Sequence, residues 1–101
     1  MPKLKLKPYK PKLTETDIKR QIKDYLTIKG WFHFHVLQGM GAYKGIPDRI
    51  AMKDHRILFI EVKRPKGKQS EYQREFQTNV EKHGFEYVVA KSVDDLIEKN
   101  I

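Results

Sequence analysis

No cysteine occurs among the 101 residues, which excludes disulfides, thiolate metal sites and thiol nucleophiles. The absence also fits a reducing compartment, and the cytoplasm is the expected location. No apolar run exceeds four residues (Ile57-Leu58-Phe59-Ile60 is one), against the roughly 20 that a membrane-spanning helix needs. The lysines at the start are followed by no apolar segment of the kind a secretory signal requires, so neither a leader nor a membrane partner is expected. Acidic residues are few as well: 13 Asp and Glu face 21 Lys and Arg, a formal net charge of +8. Such a surplus favours a polyanionic partner, because each phosphate neutralised releases condensed counter-ions.

The charge is unevenly spread. Residues 1–13 contain Lys3, Lys5, Lys7, Lys10 and Lys12 and no acid. Taking those five from +8 leaves about +3 for the remainder. With Pro2, Pro8 and Pro11 among the lysines, this stretch reads as a basic, flexible arm or a solubilising tail. The remaining 14–101 is long enough for one domain only, and hydrophobic residues at 39% of the chain supply a modest core.

Hydrophobic spacing organises that domain. Thr14 is placed to cap a helix whose Glu15 and Asp17 suit the positive end of the dipole; Ile18, Ile22, Tyr25 and Leu26 form its apolar stripe, and Gly30 closes it. Trp31 to Leu37 alternates as a strand, and the glycines of residues 38–45 mark a loop. Ile46–Met52 and Ile57–Lys63 read as two strands joined by a tight turn at Lys53-Asp54-His55, with Pro65 and Gly67 ending the second. Ser70 opens a second helix with Tyr72, Phe76 and Val80 inward and Gly84 at its end. Phe85–Ala90 is a fourth strand, and Ser92 caps a short helix carrying Val93, Leu96 and Ile97. The order helix, strand, strand, strand, helix, strand, helix predicts an α/β fold, a mixed sheet with flanking helices.

One strand breaks its own pattern. In Ile57-Leu58-Phe59-Ile60-Glu61-Val62-Lys63, alternation sends Glu61 and Lys63 to one face and Val62 to the other. A solvated strand end would explain these two charges alone. The preceding strand, however, carries Pro47-Asp48, and antiparallel pairing through the short turn sets Asp48 across from Glu61 and Lys63. Two carboxylates brought together repel unless a cation lies between them. Hard oxygen ligands of this kind suit Mg²⁺ or Mn²⁺, to which the Val62 carbonyl could add a ligand. Lys63 is then placed to position or help deprotonate an attacking water and to balance developing charge.

Gly45-Ile46-Pro47-Asp48, Phe59-Ile60-Glu61-Val62-Lys63 and Ser70-x-x-Gln73, in that order, resemble the PD-(D/E)xK nucleases and more narrowly the VRR-NUC family. That family includes small stand-alone phage and bacterial proteins and the nuclease domains of larger repair enzymes. The resemblance runs from about Glu15 to Leu96 and implies a restriction-endonuclease-like fold. It implies Asp48 and Glu61 as metal ligands, Lys63 as the catalytic lysine, Gln73 as a site residue, and Glu15 as a carboxylate reaching the metal directly or through water. Ser70-x-x-Gln73 is equally a capping box, and Glu15 equally a favourable helix-dipole charge. Stand-alone members include dimeric enzymes that act on four-way junctions. The implied activity is therefore an Mg²⁺- or Mn²⁺-dependent DNA endonuclease, preferring branched DNA and working as a homodimer in a bacterial or phage-infected cell. A non-catalytic nucleic-acid-binding module of the same fold is the rival from another class, and a ribonuclease or single-strand-specific enzyme the third.

Other signals carry less. His33-x-His35 puts two imidazoles on one strand face without a third ligand nearby, as structural or surface histidines do. Gly39-x-Gly41-x-x-Lys44-Gly45 has the wrong spacing for a phosphate-binding loop and no Ser or Thr after the lysine, and no organic cofactor is expected. It reads as a loop whose Tyr43 and Lys44 can touch DNA. Trp31, Phe32, Phe34 and Tyr43 are more aromatic surface than one small sheet needs, which fits either a packed core or a dimer interface.

Overall fold

The computed structural model describes residues 13–101; apart from Leu13, the basic arm expected at 1–13 lies outside the described residues. The elements are α1 (Glu15–Ile28), β1 (Phe32–His35), β2 (Arg49–Lys53), β3 (Arg56–Val62), α2 (Glu71–Lys82), β4 (Glu86–Ala90) and α3 (Val93–Glu98). They form one mixed sheet in the order β1-β2-β3-β4, antiparallel at the first two junctions and parallel between β3 and β4. The parallel pair is possible because α2 carries the chain back to the start of the sheet. None of the described helices is long and apolar enough to cross a membrane.

Local chemistry sets the helix starts. Asp17 N–H donates to Thr14 Oγ1 at 3.1 Å while Asp17 Oδ2 accepts from Thr14 N–H at 3.0 Å, so two of the four orphan donors are satisfied reciprocally. Ser70 and Gln73 repeat the device on α2, and Ser92 caps α3 through Asp95 N–H. The β2–β3 hairpin turns on two residues, Asp54 and His55, both left-handed at φ 48° and 67°. This is the type I′ geometry whose twist matches the strands, and it fixes the register Lys53↔Arg56.

The two faces of the sheet are covered unequally. On one face Ile18, Ile22 and Leu26 of α1 and Leu96 of α3 pack over Ala51, Leu58, Ile60, Val62, Val88 and Ala90. On the other, Phe76 of α2 meets Phe59 and Tyr87 with ring centroids 6.0 and 6.3 Å away, over β3 and β4 only. The register continues that second face through Ile50 to Phe34 and through Ile57 and Met52 to Phe32. Phe32 there is 66% exposed and Phe34 41%. Of the four aromatics read as excess, Trp31 belongs to the core, whereas Phe32, Phe34 and Tyr43 stay exposed.

Several boundaries differ from the reading of the sequence. The strand expected at Trp31–Leu37 is shortened to Phe32–His35, because Trp31 turns into the core from the end of α1. β2 starts at Arg49 rather than Ile46: Ile46 N–H closes a turn on Tyr43 O, and Pro47 has no N–H for the ladder. Tyr72, expected inward, is exposed with Lys44 Nζ 4.9 Å above its ring. Gly45 fills the space beneath: at φ 85° its Cα lies so close that a Cβ would collide with the Tyr72 carbonyl. Ile97 also faces out, and Ile101 takes the core position, drawn back by its N–H on Leu96 O and by the Tyr25 hydroxyl on its carbonyl.

Left-handed backbone strains the β-carbon of His55, and glycine removes that strain at some cost in unfolded-state entropy. His55→Gly is therefore expected to stabilise the domain by roughly 0.5–1 kcal/mol, a rise of a few degrees in Tm for a chain of this size. A thermal melt checks it, and an unchanged or lower Tm would show that contacts outside the turn hold His55.

Candidate active site

The β2–β3 register brings the acidic residues together. Arg49 pairs with Ile60, so Asp48, one step earlier, lies opposite Glu61, and Val36 N–H extends the β1–β2 ladder to Asp48 O at 2.9 Å. Asp48 is 7% exposed and its side chain is held firmly. Oδ2 accepts Val62 N–H at 2.7 Å; Oδ1 accepts from Gln38 Nε2 at 3.1 Å and sits 3.3 Å from Lys19 Nζ. In an extended chain one residue's N–H and C=O point to the same side, so the Val62 carbonyl also faces the Asp48 edge.

Glu61 is in the opposite condition. It is 1% exposed, and neither carboxylate oxygen has a hydrogen-bond partner among the described residues. Burial pushes its carboxyl pKa up, and Asp48 adds to the rise; Lys63, the Gln69 amide and the Tyr87 hydroxyl pull the other way. The Gln69 and Tyr87 groups are near enough to bias the charge but outside hydrogen-bond geometry, and the Tyr87 hydroxyl is itself unpartnered. Burial, and then the Glu61 charge, push the Tyr87 pKa up in turn.

Lys63 follows β3 directly, its N–H on Ala90 O at 3.0 Å. Its side chain lines a depression of about 410 Å³ with Glu15, Arg64, Gly67 and Lys68. Glu15 does not touch Asp48 but reaches it through Lys19, whose Nζ is 3.7 Å from Glu15 Oε2. Gln73 stands apart. Its Oε1 accepts Ser70 N–H at 2.7 Å, the capping geometry, and it lines a separate depression of about 460 Å³ with Gln38, Tyr43 and Tyr72.

Asp48, Glu61 and Lys63 thus share one edge of the sheet, Glu15 joins at one remove, and Gln73 serves the helix start. Lys19 and Gln38 were missed by the sequence reading. Lys19 carried a faint signal, one turn after Glu15 on α1; Gln38 carried none. His33, half-buried, accepts at Nδ1 from Arg49 Nη1 at 2.9 Å, so its Nε2 carries the proton shared with Thr27 Oγ1 at 2.8 Å. Burial, Arg49 and Lys23 all lower its pKa, and the neutral ring is structural.

Among the described residues no three His, Asp or Glu side chains converge as a ligand cluster. The donor set nevertheless fits a hard divalent cation. Two bare, buried Glu61 oxygens beside a second carboxylate are the electrostatic deficit such an ion removes, and Mg²⁺ commonly binds through one or two carboxylates and several waters.

The model of the VRR-NUC domain family matches residues 11–94. A solved structure described as a VRR_NUC domain protein aligns with 89% of this chain and 87% of its own, with a TM-score of 0.74 at 24% sequence identity. At that identity the likeness speaks for the fold. No curated protein matched the sequence.

The Glu61 shift has a consequence for stability. A carboxyl whose pKa is higher folded than unfolded holds its proton more tightly in the native state. The stability this permits is full below the ordinary glutamate pKa and is lost as pH rises through the raised native value. In chelator, Glu61→Gln is therefore expected to raise Tm at about pH 8 and to change it little at about pH 4. Melts of both proteins across that range test this; equal effects at the two ends would mean that Glu61 does not carry the buried charge.

Proposed function

Because the chain belongs to the VRR-NUC domain family, a family of nuclease-type domains, we propose that it is an Mg²⁺- or Mn²⁺-dependent endonuclease that hydrolyses DNA phosphodiesters and favours branched DNA such as four-way junctions. The observation that carries this reading is the buried, unpartnered Glu61 carboxylate opposite Asp48, on an edge shared with Lys63. An enzyme has use for that costly arrangement; a passive binding module does not.

In this reading Asp48, Glu61 and the Val62 carbonyl would hold the cation, with Glu15 reaching it directly or through water. When bound, the ion stabilises charge on the phosphoryl oxygens and acidifies a water. Lys63 orients the attacking water and balances charge as the phosphorus–oxygen bond to the leaving nucleotide breaks. Gln73 caps the start of α2. Gln38 keeps the Asp48 carboxylate in one orientation.

Substrate binding rests on the basic turn beside Lys63. Gly67 N–H donates to Arg64 O at 2.8 Å, and Pro65 pre-sets the turn. Arg64, Lys66 and Lys68 project from it, exposed and without ion pairs among the described residues. Such a rigid basic corner suits a phosphate backbone, in keeping with the +8 charge of the chain.

One site cuts one strand, so paired cuts call for two sites at fixed separation, most simply through two-fold symmetry. The exposed Phe32 and Phe34 of the edge strand β1 and Met52 of β2 lie on the sheet face that no described helix covers there. A second copy covering that patch would give the homodimer that a four-way junction, itself two-fold, accommodates.

Labelled duplex, fork, flap and four-way junction, and single-stranded DNA and RNA, incubated with and without Mg²⁺ test the reading. Asp48→Asn and Glu61→Gln are expected to lower cleavage about a thousandfold or more, and Lys63→Ala to keep metal binding while losing most turnover. Asparagine is preferred to alanine at 48 because its carbonyl still accepts the Val62 N–H. Full cleavage in EDTA would overturn the metal mechanism, and preference for linear duplex or RNA the substrate assignment. Sedimentation tests the assembly: a dimer at micromolar concentration that Phe34→Glu converts to monomer is expected, with paired junction cuts lost and single nicks retained. A monomeric wild-type protein would reject it.

A further inference from the structure

Lys19 is not among the buried residues of α1, which are Ile18, Ile22 and Leu26. Its ammonium lies 3.3 Å from Asp48 Oδ1 and 3.7 Å from Glu15 Oε2, bridging two carboxylates assigned above to the divalent cation. The Asp48 side chain is only 10% exposed, so this is not an ordinary surface ion pair. The lysine side chain is 38% exposed and makes no hydrogen bond among the described residues, so the contact is electrostatic and reversible. A monovalent ammonium on a flexible stem can neutralise the pair, and a divalent ion bound to Asp48 and Glu61 displaces it readily.

We infer that Lys19 is a built-in counter-ion: it competes with the divalent cation for Asp48 and Glu15, and once displaced it binds a substrate phosphate. Metal loading and nucleic-acid binding are thereby coupled through one side chain. The inference rests on the metal-binding reading of the site. Without metal, Lys19 relieves the repulsion between Glu15 and Asp48. With metal, the ammonium is left beside the depression lined by Glu15, Lys63, Arg64 and Lys68, where a phosphate replaces the carboxylate it has lost. Coupling of this kind is reciprocal: nucleic acid that captures Lys19 tightens the metal by the same factor.

Calorimetric titration of the metal-free protein with Mn²⁺ alone reads the competition directly. Lys19→Met is expected to bind Mn²⁺ on the order of tenfold more tightly while melting several degrees lower in EDTA; Lys19→Arg should resemble the wild type on both measures. Lys23→Met removes an equal charge one turn further along α1 and should change Mn²⁺ affinity by no more than about twofold. An unchanged or weaker affinity in Lys19→Met, or an equal gain in Lys23→Met, overturns the inference. Wild-type protein that binds no Mn²⁺, or that binds it equally after Glu61→Gln, overturns the metal reading itself. Duplex binding followed by anisotropy tests the second half: Lys19→Met should weaken it severalfold in Ca²⁺ and leave it unchanged in EDTA. Equal weakening in both would make Lys19 a simple phosphate contact and reject the coupling.

Discussion

Two carboxylates, Asp48 and Glu61, are buried side by side at one edge of a four-stranded sheet, and much of the molecule is arranged around that cost. Asp48 is satisfied three times over, by the Val62 N–H, the Gln38 amide and the Lys19 ammonium. Glu61, opposite it, has no hydrogen-bond partner among the described residues. Had both been satisfied, the pair would be a structural network; had both been bare, the edge would not hold its shape. The asymmetry keeps one carboxylate fixed in place and leaves the other with unspent capacity to bind a cation.

The sheet that carries this pair is closed on one side and half open on the other. α1 and α3 seal the face of Leu58, Ile60 and Val62, so the strands are anchored and the β2–β3 register cannot slip without moving a whole hydrophobic set. α2 covers only the β3–β4 half of the second face. Its capped start is seated on Gly45 and lines a depression separate from the acidic edge, and the other half of the face exposes Phe32, Phe34 and Met52. Rigidity at the acidic edge and an apolar patch beside β1 are two results of one uneven packing.

Charge is partitioned just as unevenly. The chain is strongly basic, yet among the described residues the two buried charged side chains are acids. Basic residues ring them: Lys19 against Asp48, Lys63 on the Glu61 face, and Arg64, Lys66 and Lys68 on the following turn. A field of that form attracts polyanions around a small acidic centre.

What the sequence by itself determined is what short-range chemistry controls. Thr14, Ser70 and Ser92 start the helices through bonds to residues three positions on, and Gly30 and Gly84 end two of them. Alternation assigned Leu58, Ile60 and Val62 to one face of β3 and Glu61 to the other, and the two-residue turn set Asp48 across from Glu61. The shared edge of Asp48, Glu61 and Lys63 follows from the same alternation and turn. Only the tertiary structure decided that Trp31 is core while Phe32 and Phe34 are surface, and that Ile101 rather than Ile97 closes the core. It alone brought Lys19 of α1 and Gln38 of the loop onto Asp48. Those outcomes depend on which elements meet in space, and no periodicity along one segment encodes the partner that another segment, tens of residues away, will bring to it.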